Sequence, residues 1–142
     1  MKKRGVLFFA VCVLYAGSAL AYASSVRTVL RMVEKGIQGG SAKPFEYVLG
    51  SSMSIQIADT IWSGISSIHA VDLLDRYFSR IDSIDFHLTN DFNWGIMKYK
   101  INGNWRKSYV IVGFRYRYAN PEIAYMRFTE RPYKQTYGPG RL

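Results

Sequence analysis

Cysteine and histidine are nearly absent from this chain, which has one Cys, Cys12, and two His, His69 and His87, among 142 residues. A single thiol excludes an internal disulfide framework and a cysteine-cluster metal site. The sequence contains no HExxH motif, glycine-rich phosphate loop or serine nucleophile elbow. It therefore lacks the common signatures of zinc hydrolysis, nucleotide binding and acyl transfer.

Acidic residues are also scarce, since 10 Asp and Glu stand against 19 Lys and Arg, for a formal net charge of +9. The hydrophobic fraction of 49% and the aromatic fraction of 15% are sufficient for a packed core. The length fits one modest domain. A basic protein of this size favours anionic partners.

The first 23 residues have the composition of a secretory leader. Three basic residues at positions 2–4 precede an apolar run, which ends in the small-residue sequences Ala19-Leu20-Ala21 and Ala21-Tyr22-Ala23. This order is typical of a signal peptide with an A-x-A cleavage site. The apolar run is shorter than the roughly 20 residues that span a bilayer. We therefore expect export to the periplasm or the extracellular space, with no membrane span in the mature chain.

Hydrophobic periodicity predicts one α+β domain over residues 24–130 and a flexible tail over residues 131–142. Helices are predicted at residues 25–37, 43–50 and 66–80, a strand at 53–58, turns at 62–64, 102–103 and 119–121, and four hairpin-connected strands from residue 84 onward. Asn102-Gly103 is the strongest of the turn signals, because both residues accept a positive φ. Consecutive strands after the helices predict a curved antiparallel sheet of about five strands with helices on one face.

This order of elements resembles the cone fold of nuclear-transport-factor-2-like and cystatin-like proteins, and more narrowly a group of short exported bacterial proteins of unknown function. The resemblance spans about residues 26–131, and it is carried by segments 62–66 (WSGIS), 69–78 (HAVDLLDRYF), 85–87 (DFH) and 94–97 (WGIM). It implies a sheet wrapped around a long helix. The wider class contains both enzymes and binding modules, and the narrow group supplies no catalytic residues to transfer.

Alternation assigns one face of the predicted strands to the core. Its members are Met53, Ile55, Ile57, Phe86, Leu88, Met97, Tyr99, Ile101, Ser108, Val110, Val112, Phe114, Tyr116, Tyr118, Met126 and Phe128. No carboxylate is among them, which favours a ligand pocket over an active site. The residues expected to line that pocket are Trp62, Tyr99, Phe114, Tyr116 and Met126. An enzyme would need Asp59, paired with Tyr99 or Tyr116, or Glu46 as its general base.

The opposite face of the strands is basic. It is predicted to carry Lys98, Lys100, Lys107, Arg115, Arg117 and Arg127, interleaved with Ile96, Tyr109, Ile111 and Tyr125. Asp85 is the one acid that the pattern places there, beside His87, and two such residues make at most a weak metal site. We expect neither a metal nor a cofactor.

Three functions fit these patterns. The first is an exported, non-enzymatic module of the bacterial cell envelope that binds a protein partner or an apolar ligand. The alternatives are a cone-fold enzyme with a pocket carboxylate and an electrostatic binder of anionic envelope surfaces. Self-association is possible, although like charges on the basic face oppose a symmetric contact, and export disfavours nucleic acid as a partner.

Cleavage of the leader is directly testable on the chain expressed with its own N-terminus in a bacterial host. Because the second A-x-A sequence ends at Ala23, the exported protein should begin at Ser24. Intact-mass spectrometry of the secreted or periplasmic fraction measures this. Recovery of the uncleaved chain in the membrane fraction would contradict the prediction.

Overall fold

The computed structural model describes residues 25–89 and 92–130. The expected leader, residues 1–23, and the expected tail, residues 131–142, lie outside the described residues. No helix in the described part of the chain is both long and apolar enough to cross a bilayer.

Two α-helices, a 3₁₀ helix and six strands build the described domain. In chain order they are α1 (Val26–Gln38), the 3₁₀ helix (Lys43–Val48), β1 (Leu49–Ile57), β2 (Thr60–Ile65), α2 (Ser67–Ser79), β3 (Ser83–Leu88), β4 (Trp94–Ile101), β5 (Asn104–Arg117) and β6 (Asn120–Thr129). The strands form one sheet in the order β2-β1-β6-β5-β4-β3. The α+β class is confirmed, but the strand number of about five is too low.

Both α-helices begin at a serine cap. The Ser25 hydroxyl accepts a hydrogen bond from the Thr28 amide at 3.2 Å, and the Ser66 hydroxyl accepts one from the His69 amide at 3.2 Å. Such caps satisfy amides that have no partner inside the helix. The predicted helices at 25–37 and 66–80 agree with α1 and α2 to within two residues.

The segment between these helices differs from the prediction. Residues 43–48 form a 3₁₀ helix, and the chain enters β1 at Leu49, four residues before the predicted strand. The predicted turn at 62–64 is wrong, because these residues lie in β2, which pairs antiparallel with β1. β2 is an edge strand with little burial on either face, so it shows no alternation that the sequence could reveal.

The sheet is mixed rather than antiparallel. β6 pairs with β5 antiparallel on one side and with β1 parallel on the other, so that Ile55 faces Met126 and Ile57 faces Phe128. A parallel pair needs a long crossover between its strands. Hairpin signals report only neighbouring strands, and this pairing was therefore missed.

The two helices and one face of the sheet, here called the inner face, share the core. Met53, Ile55, Phe86, Met97, Val110, Val112, Met126 and Phe128 of the sheet are buried in one cluster with residues of α1 and α2. A register shift at Gly113 and Phe114 of β5 leaves Ala124 of β6 without a partner in β5. This bulge reverses the alternation in the residues before Ala124. Strict alternation with Met126 and Phe128 would place Ile123 on the face away from the helices, but Ile123 is buried in the core.

Two tight turns join β4 to β5 and β5 to β6. The predicted Asn102-Gly103 turn is confirmed, with φ values of 51° and 81°. The second turn lies at Tyr118 and Ala119, with φ values of 51° and 65°, one residue before the predicted position. Tyr118 is therefore 90% exposed at a turn and does not belong to the core face.

The edge strand β3 is covered by α1. The Gln38 side chain donates to the Phe86 carbonyl at 2.6 Å, and the Glu34 carboxylate accepts from the Leu88 amide at 2.8 Å. Unpaired backbone groups on an edge strand invite pairing with another chain. These two side chains satisfy one carbonyl and one amide of this edge, and they anchor α1 to the sheet.

Removal of the Glu34 carboxylate should destabilise the domain. Glu34→Ala leaves the part-buried Leu88 amide without its acceptor, at a cost of about 1–2 kcal/mol. Glu34→Gln, which retains an acceptor oxygen, should lose less. Chemical denaturation of both variants, with the exposed Lys35→Ala as the control, measures this. Equal stability of Glu34→Ala and Lys35→Ala would contradict the role assigned to Glu34.

Candidate functional site

The face of the sheet opposite the helices, here called the outer face, carries a set of cations in register. Lys98 of β4 faces Lys107 of β5 directly, and Asp85 of β3 faces Lys98 from the other side. Like charges directly opposite each other on adjacent strands destabilise a sheet. A depression of about 290 Å³ lies here and is lined by Lys98, Trp105, Arg106 and Lys107. Its lining carries three cations and an aromatic ring, and one of the cations, Arg106, forms an ion pair with Glu130 at 3.7 Å.

Three cations of the outer face make cation–π contacts with aromatic rings. The Lys100 Nζ lies 5.9 Å from the Trp105 ring, and the Lys107 Nζ lies 5.4 Å from the Tyr109 ring. Beside the β5–β6 turn, the Arg117 guanidinium lies 5.9 Å from the ring of its neighbour Tyr118. Each distance is within the range of a cation–π contact, which at an exposed site contributes about 0.5–1 kcal/mol. These contacts offset part of the repulsion among the cations.

Arg115 has a structural role as well. Its Nε donates to the Glu122 carboxylate at 2.9 Å and its Nη2 donates to the Ser52 carbonyl at 3.0 Å. The guanidinium lies against Gly50, where any added Cβ would meet it. The prediction that Asp85 is the one acid on this face is wrong, because Glu122 lies opposite Arg115. Arg115 thus ties β1 to the β5–β6 hairpin.

An apolar hollow lies beside these cations. Ile61, Gln56, Arg127 and Ile111 face one another in sequence across β2, β1, β6 and β5. Together with the neighbouring row they enclose a volume of about 410 Å³, lined by Ser54, Gln56, Ile61, Ile111, Tyr125, Met126 and Arg127. We call this the outer hollow. Alternation does not reveal this hollow, although Gly113, a glycine inside a strongly alternating strand, signals close contact by a neighbour.

The pocket predicted for the inner face is not assembled. Met126 and Tyr99 are buried, Phe114 and Trp62 are half-buried, and Tyr116 is 66% exposed. Trp62 lies on β2 and Tyr99 on β4, four strand spacings apart, which is about 19 Å of sheet. Tyr116 pairs with Pro121 close to the β5–β6 turn, far along the strand from the buried residues of β5. Of the five residues, Met126 alone lines one of the two hollows described above, and that hollow lies on the opposite face.

Asp85 and His87 together provide two candidate metal-ligating side chains. Their carboxylate oxygen and ring nitrogen lie 3.4 Å apart on exposed side chains. Within the described residues, no group of three or more His, Cys, Asp or Glu side chains could hold an ion.

Comparison with known proteins relates this architecture to solved structures. No family model matches the chain, and no curated protein matches it. A DUF4783 family protein from Bacteroides uniformis has a TM-score of 0.56 at 14% identity, covering 72% of this chain and 97% of that one. A de novo designed protein with a curved β-sheet has a TM-score of 0.55 at 15% identity, covering 73% and 85%. A candidate dehydratase of the NTF2-like family from Streptomyces avermitilis has a TM-score of 0.51 at 9% identity, covering 74% and 92%.

The fold is NTF2-like. At these identities the likeness shows the architecture and no activity. The resemblance inferred from the sequence, to an NTF2-like cone near bacterial proteins of unknown function, is confirmed.

Aromatic side chains fill the interior of this NTF2-like cone. The Tyr77 ring lies 5.2 Å from the Phe128 ring and 5.6 Å from the Phe78 ring, centre to centre. Ser108 donates a buried hydrogen bond to the Tyr99 hydroxyl at 3.3 Å. Burial raises the pKa of Tyr77, the neighbouring Tyr99 raises it further, and a hydrogen bond with Ser108 lowers it in part. Burial therefore favours the protonated form of the Tyr77 phenol.

Neither candidate carboxylate joins these tyrosines. Asp59 is exposed in the turn between β1 and β2, and β1 is separated from the strand of Tyr99 by three strand spacings, or about 14 Å of sheet. Glu46 is half-buried on the 3₁₀ helix. The sequence placed Asp59 at a strand end but could not show which way the edge hairpin carries it. The pairing of Asp59 with Tyr99 or Tyr116, which only the enzyme alternative would need, is not formed.

The raised pKa of Tyr77 makes stability depend on pH. The folded chain keeps the phenol proton at a pH where the unfolded chain has lost it. The contribution of Tyr77 to stability should therefore be constant below the ordinary tyrosine pKa of about 10 and fall as the pH rises above it. Denaturation at a series of alkaline pH values should show a shallower decline for Tyr77→Phe. The exposed Tyr118→Phe should leave the decline unchanged, and an equal slope for both variants would contradict the assignment.

Proposed function

We propose that this NTF2-like protein is an exported, non-enzymatic interaction module of the bacterial cell envelope, which binds an acidic partner protein on the outer face of its sheet. The observation that carries the proposal is the composition of that face. Among the residues that the structure describes, six cations and two acids share it with exposed aromatic and aliphatic side chains, while both helices pack in one cluster with the inner face.

The packed interior supports a binding role over catalysis. Met97, Val110, Val112 and Phe128 line the inner face with almost no exposed surface. Nucleophilic and general-base chemistry needs a polar group aimed at a substrate in a cavity. The described carboxylates that the sequence offered, Asp59 and Glu46, do not supply one. We therefore assign the interaction surface to the outer face of the sheet.

Electrostatics favour an acidic partner over a second copy of this chain. Lys98 and Lys107 lie opposite each other with Asp85 as the adjacent acid, and a carboxylate between them would relieve their repulsion. Two copies meeting outer face to outer face would instead bring like charges together, which costs free energy. Enrichment in aromatic residues and arginine is also characteristic of the centres of protein interfaces.

The test begins with a photo-crosslinking residue placed in cells. p-Benzoylphenylalanine in place of the exposed Trp105, on the outer face, should crosslink to an acidic protein. The same residue in place of the exposed Tyr47, on the 3₁₀ helix, should not. The crosslinked protein is identified by mass spectrometry, purified, and titrated against the full chain by calorimetry at several salt concentrations.

Charge-reversed variants then decide whether the outer face is responsible. Lys98→Glu with Lys107→Glu should weaken binding at least ~10-fold, since each tenfold loss corresponds to about 1.4 kcal/mol. Arg31→Glu with Lys43→Glu makes the same change of charge at exposed positions on α1 and the 3₁₀ helix, and should leave the affinity within about twofold. Equal losses in both pairs would contradict the proposal. Crosslinks to lipid alone, with binding to anionic vesicles, would replace it with the envelope-surface alternative.

A further inference from the structure

The shape of the outer hollow depends on one glycine, Gly113. Tyr125 lies between Ser54 of β1 and Gly113 of β5 in the register of the sheet. A Cβ placed on Gly113 would overlap the ring of Tyr125. The ring therefore lies over β5, directly on the glycine backbone, and this position leaves Ser54 uncovered on its other side.

The half-open space over Ser54 is bordered by apolar groups and one cation. Ile61 and Ile111 stand at its two sides, and Tyr125 forms a wall that is itself 42% exposed. Arg127 is the one charged residue of the described lining, and it faces Ile111 and Gln56 across the neighbouring strands. The volume of about 410 Å³ falls within the range of about 300–1,000 Å³ of sites that bind small groups.

We propose that the outer hollow is the anchor site for the partner, and that it accepts an aromatic or aliphatic side chain that stands next to a carboxylate. This inference rests on the proposed function and names the chemistry that the face recognises. The apolar walls receive the side chain, and Arg127 receives the carboxylate, for which a guanidinium offers a planar pair of donors. Gly113 determines specificity, because it holds the Tyr125 ring away from Ser54.

This arrangement has the features of an interface hot spot. Hot spots are concave, apolar at their centre and enriched in tyrosine and arginine, and weaker polar contacts surround them. Around the outer hollow, Ser54 and Gln56 supply polar groups at the lining, and Lys98 and Lys107 lie further along the same face. A partner residue seated here would have its acidic neighbours directed toward those lysines.

Small probes test the anchor chemistry without knowledge of the partner. N-acetyl-L-phenylalanine carries an aromatic ring and a carboxylate, its amide lacks the charge, and N-acetyl-L-aspartate lacks the ring. NMR titration of the full chain should show the first probe shifting the Ile61 and Ile111 methyl signals, with millimolar affinity typical of fragments. The amide should bind at least ~5-fold more weakly, and the aspartate should leave these methyl signals unmoved.

Two variants close the hollow in different ways. Gly113→Ala should force the ring of Tyr125 toward Ser54 and reduce probe binding at least ~10-fold. Ser54→Val should fill the space from β1, with the same loss, and it leaves Gly113 and Tyr125 unchanged. Gly39→Ala, at the end of α1, is the matched glycine control and should bind the probe like the parent chain. Backbone amide spectra confirm which variants are folded.

The outcomes separate this inference from the proposed function. Equal binding of the acid and the amide, or full binding by folded Ser54→Val, would overturn the anchor chemistry, even where Lys98→Glu with Lys107→Glu still loses the partner. Conversely, probe binding that depends on the hollow, in a chain whose partner ignores the lysine reversals, would overturn the proposed function and leave the hollow as a site for small apolar acids.

Discussion

The parallel pairing of β1 with β6 is the constraint on which the rest of the molecule depends. Four consecutive strands, β3 to β6, form an antiparallel meander, and the separate hairpin of β1 and β2 completes the sheet only by docking against the last strand of that meander. The docking joins Ile55 and Ile57 to Met126 and Phe128 on the inner face. On the outer face it brings Ser54 and Gln56 beside Tyr125 and Arg127. The core and the hollow therefore arise from the same register.

The two faces of the sheet differ in burial and in charge. The inner face is closed by α1, α2 and its own aromatic residues, and its buried hydroxyl groups satisfy one another, as in Tyr99 and Ser108. On the outer face, cation–π contacts and the Arg115–Glu122 pair offset part of the repulsion among the cations. Packing thus fills the inner face, whereas the outer face is exposed and carries most of the charge of the sheet. An NTF2-like fold permits either arrangement, because function lies in the side chains that a fold carries.

Local signals in the sequence predicted much of this structure. The helical period located α1 and α2, and Asn102-Gly103 located the β4–β5 turn, because each signal concerns residues that are close together in the chain. The errors share one cause, which is dependence on distant contacts. The bulge at Ala124 reverses the faces of β6, the edge strand β2 shows no alternation, and Glu122 reaches the outer face only through its pairing with Arg115.

Composition and alternation alone were enough to predict an α+β domain and a face rich in cations, in a sequence with a single cysteine and no HExxH motif. They could not show that Trp62 and Tyr99 lie four strands apart in the sheet, nor that Ser54, Gly113 and Tyr125 form a row. The physical reason is that alternation assigns a residue to a face, whereas a site needs neighbours on other strands. Those neighbours are set by the register of β6 between β1 and β5, which depends on packing across the whole sheet.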